Sequence, residues 1–101
     1  MISKKRLVLL DEASTNGSGP VKQWAGESVG TIAVFGTWDA ATVTIEISTD
    51  NEKNWIAIPG GVITENKVLT LQGGNVDIRA TVSNVGVSSL TAHAVMPSVN
   101  T

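Results

Sequence analysis

Residues 35–55 read FGTWDAATVTIEISTDNEKNW, and the seven at the centre, Thr42–Ser48, alternate without a break. Val43, Ile45 and Ile47 fall on one side of an extended chain, and Thr44, Glu46 and Ser48 fall on the other. That is the period-two pattern of a strand with one wet face. Asp50-Asn51-Glu52-Lys53-Asn54 supplies a polar turn, and Trp55–Ile58 returns as the hairpin partner. Two of the three tryptophans, Trp38 and Trp55, bracket the alternating run. Whether they form a ligand platform or hold a hairpin in a core is the functional question this stretch poses.

The same punctuation extends in both directions. Turn signals recur every eight to twelve residues, and the runs between them have period two. Upstream, Lys5–Leu10 reads as a first strand, Asp11 to Pro20 as a flexible loop, and Val21–Ala25 and Val29–Phe35 as strands ended by Gly26 and Gly36. Downstream, Pro59-Gly60-Gly61 interrupts the pattern and Val62-Ile63 reads as a short extension or edge segment. Val68–Gln72 and Val76–Ser83 flank the turn Gly73-Gly74-Asn75. In the second of these, Val76, Ile78, Ala80 and Val82 point inward while Asp77, Arg79, Thr81 and Ser83 point out. Ser89–Met96 closes the set. No window has a sustained helical period. About eight short strands predict an all-β chain: a single antiparallel β-sandwich or flattened barrel over residues 1–101, jelly-roll-like or Ig-like. Residues 1–6 read as a short basic N-terminal arm and residues 97–101 as a C-terminal tail.

Composition narrows the function classes. The chain has 101 residues and a mass of 10.5 kDa. Size scaling leaves about 5,400 Å² exposed of the roughly 15,000 Å² an unfolded chain would show, enough for a core without staples. With no cysteine, disulfides and thiolate metal sites are excluded. Charged residues make up only 16% of the chain, below the usual quarter, so little charge is available to solvate the surface and further burial against a partner is implied. The net charge is −2 and the basic residues are scattered apart from Lys4-Lys5-Arg6, so no basic stripe for nucleic acid is present. The apolar run Leu7-Val8-Leu9-Leu10 is too short for a signal-peptide core or a bilayer span. The chain therefore reads as soluble and made in the cytoplasm without an export signal. Asn16-Gly17-Ser18 fits a glycosylation acceptor only in a secretory context.

Catalytic and metal chemistry is sparse. The single histidine, His93, stands in the last strand with no sequence-level nucleophile or carboxylate partner, and reads as a surface or interface residue. Asp50, Glu52 and Asn54 alternate like the start of a calcium loop, but Trp55 occupies the place of the required glycine and no glutamate closes the loop. GESVG and GSGP do not open a helix, so neither is a phosphate cradle. No catalytic residue, metal site or cofactor is expected, and the chain is not read as an enzyme. Trp38, in the loop GTWDAA beside Asp39, is the candidate partner or glycan contact. Trp24 is divided between core edge and subunit interface, and Trp55 reads as structural.

The hairpin carries a resemblance. Ala40-Ala41-Thr42-Val43-Thr44-Ile45-Glu46-Ile47-Ser48-Thr49-Asp50-Asn51-Glu52-Lys53-Asn54-Trp55 is similar to the pattern G-A-T-V-T-L-E-x-S-x-D-G-G-x-x-W of small β-sandwich virion accessory proteins of tailed bacteriophages, with Asn51-Glu52 in place of the turn glycines. VDIRATVSN and SSLTAHAV resemble their closing strand pair, which carries an arginine on the penultimate strand, here Arg79. The likeness runs from about Val29 to Val95. It implies a non-enzymatic virion protein: a capsid decoration (cement) protein bridging copies of the major capsid protein, or alternatively a head-fibre, knob or tail module binding a host glycan. It further implies a homotrimer on the capsid surface, with no nucleic-acid or membrane partner. Lys4, Lys5 and Arg6 are the candidate capsid anchor.

Overall fold

A computed structural model describes residues 2–24, 29–72 and 75–99, with side chains described over residues 6–24, 29–72 and 75–95. Among the described residues there are nine strands: β1 (Ile2–Ala13), β2 (Gly17–Ser18), β3 (Lys22–Trp24), β4 (Val29–Thr37), β5 (Thr42–Ser48), β6 (Ile56–Ile63), β7 (Lys67–Gln72), β8 (Val76–Ser83) and β9 (Ser89–Val99). They form two antiparallel sheets, one in the order β1-β9-β4-β7 and one in the order β2-β8-β5-β6, with β3 also on β8. The fold is a β-sandwich without helix among the described residues. With β2 and β3 counted as two halves of one broken strand, consecutive strands alternate between the sheets except at the β5–β6 hairpin, in the order of a jelly roll.

The alternation of β5 is what the sandwich is built on. Its register with β8 places Val43 opposite Val82, Ile45 opposite Ala80 and Ile47 opposite Ile78, all toward the core. Glu46 opposite Arg79 and Thr44 opposite Thr81 face out. The facing sheet contributes Leu7, Leu9, Ile32, Val34, Leu90, Ala92 and Ala94 to the same buried cluster. Complete burial of a Leu, Ile or Val side chain is worth roughly 1.5–3 kcal/mol, so these apposed faces dominate stability.

Three expectations are corrected. The basic arm and C-terminal tail are not loose: residues 2–6 pair with residues 95–99, from Ile2 opposite Val99 to Arg6 opposite Val95. Charge hides this strand from a hydrophobic-pattern reading, yet lysine and arginine are ordinary on an edge strand. The Asp11 to Pro20 loop is also shorter than expected. β1 continues to Ala13 through two register shifts, and Gly17–Ser18 pairs with β8. The first shift falls between Val8 and Leu10, which is why Leu9 and Leu10 are both buried despite being adjacent. Finally, Pro59-Gly60-Gly61 does not break β6. Between the pairs Thr44–Val62 and Glu46–Ala57 the ladder bulges, so that Ile58, Pro59, Gly60 and Gly61 lie opposite Ile45 alone. Gly60 takes φ 74°, and a Cβ on Gly61 would meet Ile58 Cγ1 at 2.8 Å and the Ile45 carbonyl oxygen at 2.9 Å.

Candidate interaction surfaces

The crossovers β1–β2, β4–β5, β6–β7 and β8–β9 gather at one end of the sandwich, because Thr37 pairs with Ser89 while Thr42 pairs with Ser83. Trp38 and Asp39 sit in the middle of this end. Trp38 Nε1 donates to Asn66 Oδ1 at 2.8 Å, and Gly36 N donates to the same oxygen at 3.1 Å. The Trp38 carbonyl accepts from Ser88 Oγ at 2.8 Å and from Ala41 N at 2.8 Å. Its ring is partly buried against the core. Asp39, at φ 51°, accepts from Val87 N at 3.0 Å through Oδ2, and Asn16 Oδ1 accepts from Val85 N at 3.0 Å. Trp38 and Asp39 thus bind the crossovers to one another. The indole N–H that a sugar platform would offer to a hydroxyl is already engaged.

Trp24 is only 1% exposed, the largest fully buried side chain of the core, so it presents no surface to a partner. The expectation of a contact residue fails here because the ring takes the space that the absent side chain of Gly30 leaves open. Trp55 is covered from outside: the Arg79 guanidinium lies 4.1 Å from its ring centroid. Arg79 Nε donates to Glu46 Oε1 at 3.1 Å, Thr81 Oγ1 donates to that oxygen at 2.7 Å, and Ser18 and Thr81 hydroxyls are 2.9 Å apart. A polar ladder therefore runs across the outer face of the β8–β5 sheet, and its groups satisfy one another. Of the candidate anchor, Arg6 is exposed on β1, while the side chains of Lys4 and Lys5 lie outside the described residues.

At the opposite end, the β5–β6 turn keeps its hairpin without glycine. Asn51 and Glu52 both take positive φ, 59° and 68°, the conformation a glycine pair would favour. Asp50 organises the turn: Oδ1 accepts from Asn54 N at 2.9 Å and from Ser48 Oγ at 2.9 Å, and Oδ2 accepts from Asn54 Nδ2. Both carboxylate oxygens thus serve the turn, and among the described residues no three His, Cys, Asp or Glu side chains converge as metal ligands. The Asn54 side-chain bond first, then the Asn54 backbone bond and the Ser48 hydroxyl, hold the Asp50 carboxyl below its ordinary value of 3.8. With the folded value depressed, the turn's contribution is fully present above pH 3.8 and is lost as pH falls through the lower folded value. Acid titration followed by circular dichroism should therefore show a loss of stability below about pH 4 that Asp50→Asn reduces. Identical acid curves for the two proteins would refute this. The neighbouring depression, lined by Gln23, Ser48, Thr49 and Asp77 among others, holds only about 120 Å³, below the roughly 300 Å³ at which small-molecule sites begin.

What remains open is apolar. On the β1-β9-β4-β7 sheet the outward side of β4 carries Val29, Thr31, Ala33 and Phe35, with Val29 49% and Phe35 41% exposed. Val68, opposite Ala33, is 68% exposed, and His93, also opposite Ala33, meets Phe35 edge-on at 5.7 Å between ring centroids. A second exposed apolar stretch lies along β6 at the edge of the other sheet, where Ile56, opposite Ile47 on the core side of the ladder, is 66% exposed and Val62, opposite Thr44 on the outer side, is 62% exposed. Sequence reading for aromatic platforms missed both. The signal was present as an absence of charge: Thr31-Ala33-Phe35 and Thr91-His93-Val95 are outward sets without a single formal charge. Among the described residues no helix is long and apolar enough to cross a membrane. No family model, no curated protein and no solved structure matches this chain.

Proposed function

We propose that this chain is a structural virion protein, a capsid decoration protein that bridges coat subunits of a tailed-phage head. The observation that carries the reading is exposed apolar side chains on both sheets, Phe35 and Val68 on the face of one and Ile56 and Val62 along the β6 edge of the other. A protein that bridges needs at least two contact surfaces, and contiguous exposed apolar surface rimmed by polar residues marks such contacts. Low charge fits a part that acts by covering seams and adding buried area. The resemblance of residues 40–55 to phage accessory proteins supplies the virion context. Jelly rolls serve capsid and lectin domains alike, so topology does not divide the readings. The engagement of Trp38 at Asn66 and the burial of Trp24 favour this reading over the glycan-module alternative.

The test is co-sedimentation of the purified protein with empty shells assembled from the coat protein of the same phage. Saturable binding at a fixed copy number per shell is expected, with at least tenfold weaker binding for the double variant Ile56→Asp/Val62→Asp. A protein that ignores shells but binds host polysaccharide would overturn the proposal.

A further inference from the structure

We infer that the outward face of the β1-β9-β4-β7 sheet is a self-association surface, covered by a second copy of this chain in a two-fold pair. With the Phe35 and Val68 face covered by the second copy, the pair presents two β6 edges, one from each chain, for any coat contact.

The first argument is charge. Among the described side chains, the outward positions of β9, β4 and β7 hold valine, threonine, serine, alanine, phenylalanine, histidine and glutamine, with no carboxylate, lysine or arginine. The lysine of β7, Lys67, turns away and donates to the Gly60 carbonyl at 3.2 Å. Among the described side chains, formal charge reaches this face only at its β1 margin, where Arg6, Asp11 and Glu12 are exposed. The chain as a whole carries −2, so two copies repel over most of their surfaces. The β9, β4 and β7 part of the face has no such penalty against itself, and a strongly charged partner would find nothing there to pair with.

The second argument is size. Four strands at about 4.8 Å spacing and nine residues of β4 at about 3.3 Å rise give a projected area of roughly 570 Å² before side-chain relief is counted. A standard interface buries about 800 Å² per partner, so the face is large enough to form the main part of a stable dimer contact.

The third argument is shape. Phe35 stands up beside His93, two residues along β4 from Ala33, and Ala33 is low ground between His93 and Val68. A knob and a hollow on one strand are self-complementary under a two-fold axis, which brings each Phe35 toward the partner's Ala33. An aromatic anchor seated in a hollow of the partner is the arrangement in which a few residues carry most of a binding energy.

The experiment is sedimentation equilibrium on the purified chain from 1 to 200 µM. A species of about twice the 10.5 kDa chain mass is expected. Phe35→Asp should weaken association by at least 100-fold, and Thr31→Glu, at an exposed polar position on the same face that the monomer does not need, should do likewise. Val62→Asp on the other sheet should leave the dimer intact. Circular dichroism melts identify any variant whose loss is one of folding, and Thr31→Glu then decides. A wild-type chain monomeric at 200 µM, or an oligomer that survives both face variants, overturns the inference. The Ile56→Asp/Val62→Asp variant separates this result from the capsid reading: a dimer that no longer binds shells bears on that reading alone, and a wild-type chain that binds shells as a monomer overturns only this inference.

Discussion

Trp24→Ala should remove about 3–5 kcal/mol of folding stability, the range for deleting a buried tryptophan, and so a large part of the 5–15 kcal/mol a domain possesses. For a chain of 101 residues this corresponds to a fall in melting temperature of order 15–30 °C. The reason is placement as much as size. β3 holds three residues, pairs only with β8 at Lys22–Ile78, Gln23–Asp77 and Trp24–Val76, and has little of its own to hold it. Its tryptophan reaches across to the opposite sheet and fills the space over Gly30, where a Cβ would collide with the Trp24 ring and lie 2.8 Å from the Val95 carbonyl oxygen. Gly30→Ala should accordingly destabilise by roughly 1–3 kcal/mol through overpacking. Trp24→Phe combined with Gly30→Ala should lose less than the sum of the two, because the smaller ring vacates room for the methyl. Urea denaturation of the four proteins checks the cycle. A loss below 1 kcal/mol for Trp24→Ala would contradict the packing described.

Trp38→Ala is the second large effect, about 2–3 kcal/mol. It removes the packing of a partly buried indole and the bond to Asn66 Oδ1 that ties the β4–β5 crossover to the β6–β7 crossover. Trp38→Phe keeps most of the packing, drops the bond and should lose only about 1 kcal/mol. Thermal melts of both variants, read beside polysaccharide binding, divide the two views of this residue. A ligand platform predicts unchanged stability with lost binding, whereas a pin between crossovers predicts the reverse.

The contrast between these two tryptophans shows where sequence reading stops. The inward positions Val43, Ile45, Ile78, Ala80 and Val82 are all legible from alternation, and all are buried. Period two is a property of a few consecutive residues, so it survives without knowledge of the fold. β1 was only half legible, since its first residues are charged and its bulges break the period at Leu9 and Leu10. β6 was legible in pieces, because a bulge accommodates the Pro59-Gly60-Gly61 that reads locally as a stop. The interaction surfaces were the least legible, since the exposed valines, isoleucine and phenylalanine have the same composition as core residues. Only knowing which strand lies at an edge and which face has no cover tells them apart.

By itself the sequence determined an all-β sandwich, its central hairpin and most of its core, because alternation and turn chemistry act over a handful of bonds. The tertiary structure decided the fates of the tryptophans. Trp24 is buried by Gly30, Trp38 is engaged by Asn66 and Ser88, and Trp55 is covered by Arg79. Each outcome depends on a partner between 6 and 50 residues away, brought near by crossovers between the two sheets. Local pattern carries no record of such meetings, and they determine which surfaces are left to bind.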